Sequence, residues 1–245
     1  MTARRASVLI TGGAKRLGRV IALDMAAAGW DVVIHAHASG VEAETLAREI
    51  RATGRMAQVV SCDLADPEAV AKLIPSVVET CGPLAALVNN ACLFERDTHD
   101  PDHLRHRQIN ALAPIRLTED LFQQLPKDTV GAVVNLLDGT SAPETFGAYA
   151  ASKKLLREAT LAMALRYAPR LRVNAVAPGP TLIHPRQSQT HFDSLVAATP
   201  LKVETTPQVV ASTVRFVMEN VGMTGAIISV DGGAHLLSPS SVRLP

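Results

Sequence analysis

Aromatic residues make up only 3% of this 245-residue chain, which also contains just three cysteines. Cys62, Cys81 and Cys92 have no spacing that suits metal ligation, and they read as reduced thiols of a cytoplasmic protein without a metal site. Nowhere does the chain approach the roughly 18 consecutive apolar residues of a membrane span, so no membrane partner is expected. Its first apolar run, Ser7 to Thr11, starts too early to follow a secretory leader, which again points to the cytoplasm. An excess of one charge is missing too. The 24 Lys and Arg stand against 23 Asp and Glu, and the basic residues form no long cluster. Nucleic-acid binding therefore has no electrostatic support. With so few aromatics, Phe94 and Tyr149 stand out as side chains to account for.

What is present is a globular composition, 47% apolar and 19% charged, in a chain long enough for one well-buried domain. Short β-branched runs at 7–11, 31–35, 57–61, 84–89, 130–137, 171–177 and 226–230 predict strands. Amphipathic stretches at 16–29, 41–53, 67–80, 102–124, 148–168 and 206–220 predict helices between them. Strands apolar on both faces, alternating with helices, imply a parallel sheet covered on both sides through right-handed crossovers. The expected fold is thus α/β: a single-domain, Rossmann-type doubly wound parallel sheet of about seven strands flanked by helices, spanning 1–245. Asp66-Pro67 and Thr206-Pro207 read as N-caps followed by proline, and Gly54 and Gly82 as helix ends. The one long irregular segment, about 178–205, is expected to be a substrate loop.

Thr11-Gly-Gly-Ala-Lys-Arg-Leu-Gly18 follows the first strand and opens the first helix. Glycines there let backbone N–H groups approach a pyrophosphate, whose charge the helix N-terminus favours. Taken alone, the same pattern serves a tight turn without a ligand. The second strand ends Ile34-His-Ala-His-Ala-Ser39 and lacks the carboxylate that would hold the ribose hydroxyls of NAD. Lys15 and Arg16 in the turn, with Ser39, suit the 2′-phosphate of NADP; the alternative is two solvated cations beside a polar strand end. Tyr149 and Lys153 share one helix face at i, i+4. A cation beside the phenol would draw its pKa down from about 10 towards neutrality. A Tyr/Lys pair by itself is more often a surface contact.

The glycine turn, Asp63, Asn89-Asn90-Ala91, Asn110, Tyr149 with Lys153, Pro178-Gly179 and Asp231-Gly-Gly233 occur in that order over nearly the whole chain. In this combination the chain resembles the short-chain dehydrogenase/reductase family. The resemblance implies an NADPH-dependent oxidoreductase that assembles through helices as a homotetramer, or as a homodimer. It assigns Tyr149 as acid/base, Lys153 to the ribose and to the Tyr149 pKa, and Asn110 to a proton-relay water. Around the cofactor it places Gly12, Lys15, Arg16, Leu17 and Gly18 of the turn, then His35, His37 and Ser39. Asp63 would meet the adenine beside Leu64, Asn90 and Ala91 would line the cofactor, and Pro178, Gly179 and Thr181 would flank the nicotinamide, with Thr181 on its amide.

Three positions depart from the family pattern. Arg16 stands where a second glycine is usual, Asp138 where the catalytic Ser is expected, and Cys92 where a glycine follows Asn-Asn-Ala. Arg16, Asp138 and the His-x-His-x-Ser stretch at 35–39 resemble the pteridine reductase branch. That implies Asp138 pairing with Tyr149 in proton delivery and Phe94 stacking on the pterin. Arg16, Cys92, Phe94, Asp138 and Tyr149 would then line the substrate. Ala38 and Cys92 differ from the Arg and Ser common in that branch, and the stretch from Asp138 to Tyr149 is short. From the residues themselves, Asp138 could also cap a turn with Gly139, and Phe94 could be core. The function expected is NADPH-dependent reduction of a dihydropterin- or dihydrofolate-type ring. One alternative is reduction of a 3-oxoacyl thioester or small ketone, for which a carboxylate beside a developing oxyanion is unhelpful. Another is NADPH binding without catalysis.

Overall fold

Because successive side chains of a strand point to opposite faces, an all-apolar strand needs cover on both. β1 (Ser7–Ile10) shows how that cover is supplied: Val8 and Ile10 face one helical layer, Leu9 faces the other, and all three are fully buried. The computed structural model describes residues 6–99, 103–139, 146–184 and 187–237. Among them, β1 is followed by α1 (Arg16–Ala27), β2 (Asp31–Ala36), α2 (Gly40–Ala52), β3 (Ala57–Ser61), α3 (Pro67–Cys81) and β4 (Ala86–Asn89). The second half contains α4 (Leu104–Arg107), α5 (Ala113–Gln124), β5 (Gly131–Leu136), α6 (Gly147–Tyr167), β6 (Leu171–Pro178), α7 (Gln189–Ala198), α8 (Pro207–Glu219) and β7 (Ile227–Val230).

All strand pairings are parallel, in the order β3-β2-β1-β4-β5-β6-β7. One core unites Ile21 of α1, Leu46 and Ile50 of α2 and Val214 of α8 with Val8, Ile34 and Val134. The opposite core unites Leu73 and Ile74 of α3, Leu117 and Leu121 of α5 and Met163 of α6 with Leu9, Leu87, Val133 and Val173. Each such aliphatic side chain stabilises the fold by roughly 1.5–3 kcal/mol on burial. This is the expected doubly wound α/β sheet. Every strand lies where its sequence run predicts it.

Local signals behave as physics requires. The Asp66 carboxylate accepts from the Glu68 N–H at 2.9 Å, and the Thr206 hydroxyl accepts from the Val209 N–H at 3.4 Å. Gly54 and Gly82 adopt φ of 82° and 76° at helix ends. Two expectations need correction. The continuous helix expected over 102–124 begins at Leu104 and is interrupted by a wide π-type turn at Gln108–Leu112, while residue 102 lies outside the described residues. Pro114 withholds the N–H that an α-helix would give to the Asn110 carbonyl four residues back, and the helix widens there. The segment 178–205 is not wholly irregular, since it contains α7. That helix buries only Phe192, so its apolar periodicity is faint, although Ser188 caps it by accepting from the His191 N–H at 3.2 Å. Residues 185–186 of this segment lie outside the described residues.

A buried polar chain sets α6 against the sheet. Asn89 and Asn135 are register partners on β4 and β5. The Asn89 amide donates to the Asn135 Oδ1 at 2.8 Å, and the Asn135 amide donates to the Thr160 Oγ1 of α6 at 2.8 Å. Both asparagines and Thr160 are buried. Replacing Asn135 by Leu should therefore lower stability by about 1–3 kcal/mol, because the Asn89 amide loses its short acceptor inside the core. Urea unfolding should show a lower midpoint with an unchanged slope, and an unchanged midpoint would show that the chain contributes nothing.

Candidate active site

In an open parallel sheet, ligand sites form beyond the carboxyl ends of the strands where the strand order reverses, here between β1 and β4. The glycine turn leaves β1 at this point and closes on itself tightly. Gly12 has φ +61°, and a Cβ there would lie 3.0 Å from the Ala91 Cα. A Cβ on Gly18 would meet the Gly12 carbonyl oxygen at 2.2 Å, so only glycine lets α1 start this close to the strand. Arg16, where a glycine is usual in the family, keeps the left-handed backbone with φ 51°. From β4, the Asn90 amide donates to the carbonyls of Thr11 at 2.9 Å and Gly12 at 3.1 Å. The Thr11 hydroxyl accepts from the N–H groups of Asn90 and Ala91, each at 3.0 Å. Asn90 and Ala91 thus shape the turn as well as border it.

The expected cofactor residues divide by environment. His35 is buried, its Nδ1 accepting from the Gly12 N–H at 3.1 Å and its Nε2 lying 3.0 Å from the Cys62 carbonyl. It braces the turn from behind and does not face the crevice. His37 is exposed, and Ser39, at the N-cap of α2, makes no side-chain capping bond. Lys15 is paired with Glu42 in the first turn of α2 at 2.6 Å, and this ammonium bond is the main reason the Glu42 carboxyl titrates below its usual range. The sequence argument missed Glu42, because the strand end itself carries no acid. Arg16 reaches across to donate to the Leu182 carbonyl at 3.3 Å. Leu17 and Leu64 put their side chains into the two cores, leaving their backbones towards any ligand. Asp63, exposed, accepts from the Ala65 N–H at 2.9 Å in a local turn. Thr181 is buried and donates to the Gly179 carbonyl at 2.8 Å, while the Pro178 carbonyl accepts from the Gly139 N–H at 2.8 Å.

Asp138 follows β5, and Tyr149 lies in the first turn of α6. Despite the short connection, the Tyr149 hydroxyl donates to the Asp138 Oδ2 at 2.6 Å. Lys153, one turn on and buried, donates from Nζ to the Leu136 carbonyl at 2.8 Å and sits 5.8 Å from the Tyr149 ring centre. The expected lowering of the phenol pKa is not what these groups produce. Burial first, then the Cys92 thiol and the Asp138 carboxylate, hold it well above the usual tyrosine range. Tyr149 is a protonated donor here. Cys92 opens into the crevice, yet the protein crowded around its sulfur pushes its pKa up, with Lys153 opposing and Asp138 reinforcing. Phe94 stacks on Phe146 with ring centres 4.5 Å apart and an interplanar angle of 5°. It also meets Tyr149 edge-on at 4.8 Å and His184 at 5.6 Å. Phe94 is partly exposed at 37%, so it is a crevice wall and not core.

Several residues support this wall, and two of them, His106 and Asp97, carry no sequence signal. Asn110 clamps residue 93 from both sides, accepting from the Leu93 N–H at 2.7 Å and donating to the Leu93 carbonyl at 2.9 Å; it donates to the Ser152 hydroxyl as well. Buried His106 accepts from the Glu95 N–H at 3.2 Å. Asp97 caps α6, accepting from the Gly147 and Ala148 N–H groups at 3.0 Å each. Asp231 supports the far side: a Cβ on Gly139 would lie 2.7 Å from the Asp231 Cβ, and one on Gly179 2.7 Å from its Cα. Among the described residues no cluster of His, Cys, Asp and Glu is arranged to hold a metal ion, and no helix is long and apolar enough to cross a membrane.

A glycine turn at the switch point and a Tyr/Lys pair on one helix define a class, and the short chain dehydrogenase family model matches residues 6–193. The chain belongs to that family. An uncharacterized oxidoreductase of Mycobacterium tuberculosis is 35% identical, over 92% of this chain and 90% of the relative. The crystal structure of FolM alternative dihydrofolate reductase 1 from Brucella canis, complexed with NADP, is 38% identical with a TM-score of 0.90, covering 98% of this chain and 96% of that one. A 3-oxoacyl-(acyl-carrier-protein) reductase of Staphylococcus aureus is 29% identical, over 94% of this chain and 98% of its own.

The Tyr149–Asp138 contact can be read by alkaline titration. The chain has two tyrosines, so Tyr167→Phe leaves one phenol to follow by absorbance. Because the carboxylate favours the protonated phenol, Asp138→Ala in that background should move tyrosinate formation to lower pH. An unmoved titration would detach the carboxylate from the phenol.

Proposed function

We propose that this protein is an NADPH-dependent reductase of dihydropterin- or dihydrofolate-type rings. One observation carries the reading: the acid/base tyrosine is hydrogen-bonded to a carboxylate, beside a partly exposed aromatic wall. A ketone-reducing site favours an uncharged donor at the position of Asp138, since an ionised carboxylate cannot donate and opposes a developing oxyanion. A pterin ring offers instead a planar face for Phe94 and a ring nitrogen that must gain a proton. The NADP-bound relative with dihydrofolate reductase in its name supports the same assignment.

The residues present fit a dinucleotide. The first N–H groups of α1, from Arg16 onward, have no partner within the helix and point to where a pyrophosphate would lie. Gly18, where a Cβ would meet the Gly12 carbonyl oxygen and the Asn90 amide, lets the start of α1 sit directly against the turn. Lys15, Arg16, His37 and Ser39 would meet a 2′-phosphate, which must draw Lys15 away from Glu42. Asp63 and Leu64 would border the adenine, and Pro178, Gly179 and Thr181 the nicotinamide. When bound, NADPH supplies hydride to carbon of the ring C=N bond.

The chain supplies the rest. Tyr149 holds the proton that the ring nitrogen takes, and Asp138 orients the hydroxyl and is the group through which the pair is reprotonated from solvent. Lys153, fixed by the Leu136 carbonyl, lies close enough to offset negative charge as the phenol gives up its proton. Asn110 holds the segment carrying Cys92 and Phe94 and would support a relay water. Arg16, Cys92 and Phe94 complete the substrate wall. We further read the chain as one domain of a cytoplasmic homotetramer: its three cysteines form no disulfide, and Leu161 and Leu165 are exposed on α6, where a second copy would cover them.

The deciding assay measures NADPH oxidation with dihydrobiopterin, dihydrofolate and an acetoacetyl thioester. The proposal requires the pterins to lead, and a preference for the thioester would overturn it. Within that assay, Tyr149→Phe should abolish nearly all turnover with NADPH affinity held within a few-fold, whereas Lys153→Ala should damage both. Asp138→Ala should lower pterin reduction by roughly 10²–10⁴, the usual worth of general acid–base help. Asp138→Ser should lower pterin reduction while ketone reduction holds or rises. A full kcat in Asp138→Ala would reduce the carboxylate to a turn cap.

NADPH should bind more tightly than NADH. Replacing Arg16 by Gly should narrow that gap by roughly 1–3 kcal/mol, the value of one charge-assisted phosphate bond. Equal dissociation constants for the two cofactors in the unaltered protein would sink the 2′-phosphate assignment.

A further inference from the structure

A glycine turn that cradles phosphate is expected to direct its N–H groups at the ligand, yet here the first two are already engaged within the protein. The Gly13 N–H donates to the His35 carbonyl at 3.0 Å, and the Gly12 N–H donates to the His35 ring at Nδ1, 3.1 Å away. Because Nδ1 accepts, the ring proton sits on Nε2, from which it reaches the Cys62 carbonyl at 3.0 Å. His35 is thus clamped between the turn and the end of β3, with both nitrogens used and only 2% of the residue exposed.

We infer that His35 is a positioning residue for the phosphate-binding turn, and that it works only as the neutral Nε2–H tautomer. Its ring fixes the Gly12 peptide, and so the start of α1, in the one arrangement that leaves the later N–H groups free for a pyrophosphate. This rests on the reading of the turn as a dinucleotide site. Protonating the ring would set an N–H against the Gly12 N–H and leave a buried cation, so the turn would have to open.

The surroundings oppose that charge. Burial lowers the His35 pKa; the Cys62 carbonyl acts the other way, the exposed His37 just past the end of β2 lowers it further, and Asp63 beyond β3 raises it. The neighbouring Cys62 thiol is pushed up to about 11 and stays neutral. From the turn, Lys15 and Arg16 are held by Glu42 and Leu182. The sign follows directly. The unfolded chain takes up this proton below its ordinary value of 6.5 and the folded chain only at lower pH, so the stability contribution is full above 6.5 and declines as pH falls below it, whereas dinucleotide affinity holds until the folded chain itself takes up the proton.

Two substitutions separate the ring's two bonds. In His35→Asn the side-chain oxygen replaces Nδ1 and keeps an acceptor for Gly12; in His35→Gln the amide nitrogen replaces Nε2 and keeps only the Cys62 bond. Calorimetric titration with NADP⁺ at neutral pH should find His35→Asn within about threefold of the unaltered protein and His35→Gln weaker by at least about tenfold, the worth of one buried hydrogen bond. Once the pH is low enough to protonate His35 in the folded chain, the unaltered protein should lose affinity relative to His35→Asn, a comparison that cancels titration of the 2′-phosphate itself. Amide hydrogen exchange without nucleotide should show Gly12 protected in the unaltered protein and His35→Asn, and fast in His35→Gln. Equal affinity in both variants, equal loss in both, or parallel pH profiles would overturn the inference. Absence of NADP⁺ binding by the unaltered protein would instead overturn the cofactor reading, and Gly12 exchange would then judge His35 alone.

Discussion

All seven strands run in one direction, and this constraint organises everything else. A parallel sheet must return each strand through a helix, so every carboxyl end emerges on the same edge and every loop that follows meets its neighbours there. Residues as distant in sequence as Thr11, Asn90, Asp138 and Gly179 become one surface for that reason. The reversal of strand order between β1 and β4 opens the gap, and the backbone at Gly12 and Gly18 fills its floor so closely that no side chain fits.

The site adds a second layer in which polar groups hold other polar groups. Asn90 fixes the turn, Asn110 fixes the segment that carries Phe94, and Asp97 fixes the start of the helix that carries Tyr149. None of these bonds involves a reacting atom. Each removes a local freedom that would otherwise have to be lost when a substrate arrives, which is how a scaffold turns packing into reactivity. The electrostatics are mixed in sign: Glu42 shadows Lys15, and burial, reinforced by Asp138, favours the protonated phenol.

Much of this was legible from residue order. The strands showed because buried parallel strands are dense in Val, Ile and Leu, and the Tyr149/Lys153 spacing survives any detail of packing. What stayed hidden depended on distance in space. Glu42 lies past the strand end that the charge argument inspected, and its pairing with Lys15 appears only once α2 folds back. His35 was expected around the cofactor with His37 and Ser39, since nothing local shows that β3 and the turn enclose it. Phe146 and His184 belong to loops without periodicity and join Phe94 only through the fold. α7 was missed because one buried residue, Phe192, makes no pattern.

The packing of Asp231 against Gly139 and Gly179 bears on how this protein can change over generations. The carboxylate is committed to its own loop, accepting from the Gly233 and His235 N–H groups, so it cannot withdraw to admit a larger neighbour. Substituting either glycine presses on Asp231, and substituting Asp231 frees the loop that both glycines border. Single steps at these three positions are closed, and their histories are bound together. Lineages that alter the chemistry of residue 138 must do so on a backbone already fixed by its neighbour, which leaves the side chain there as the open variable.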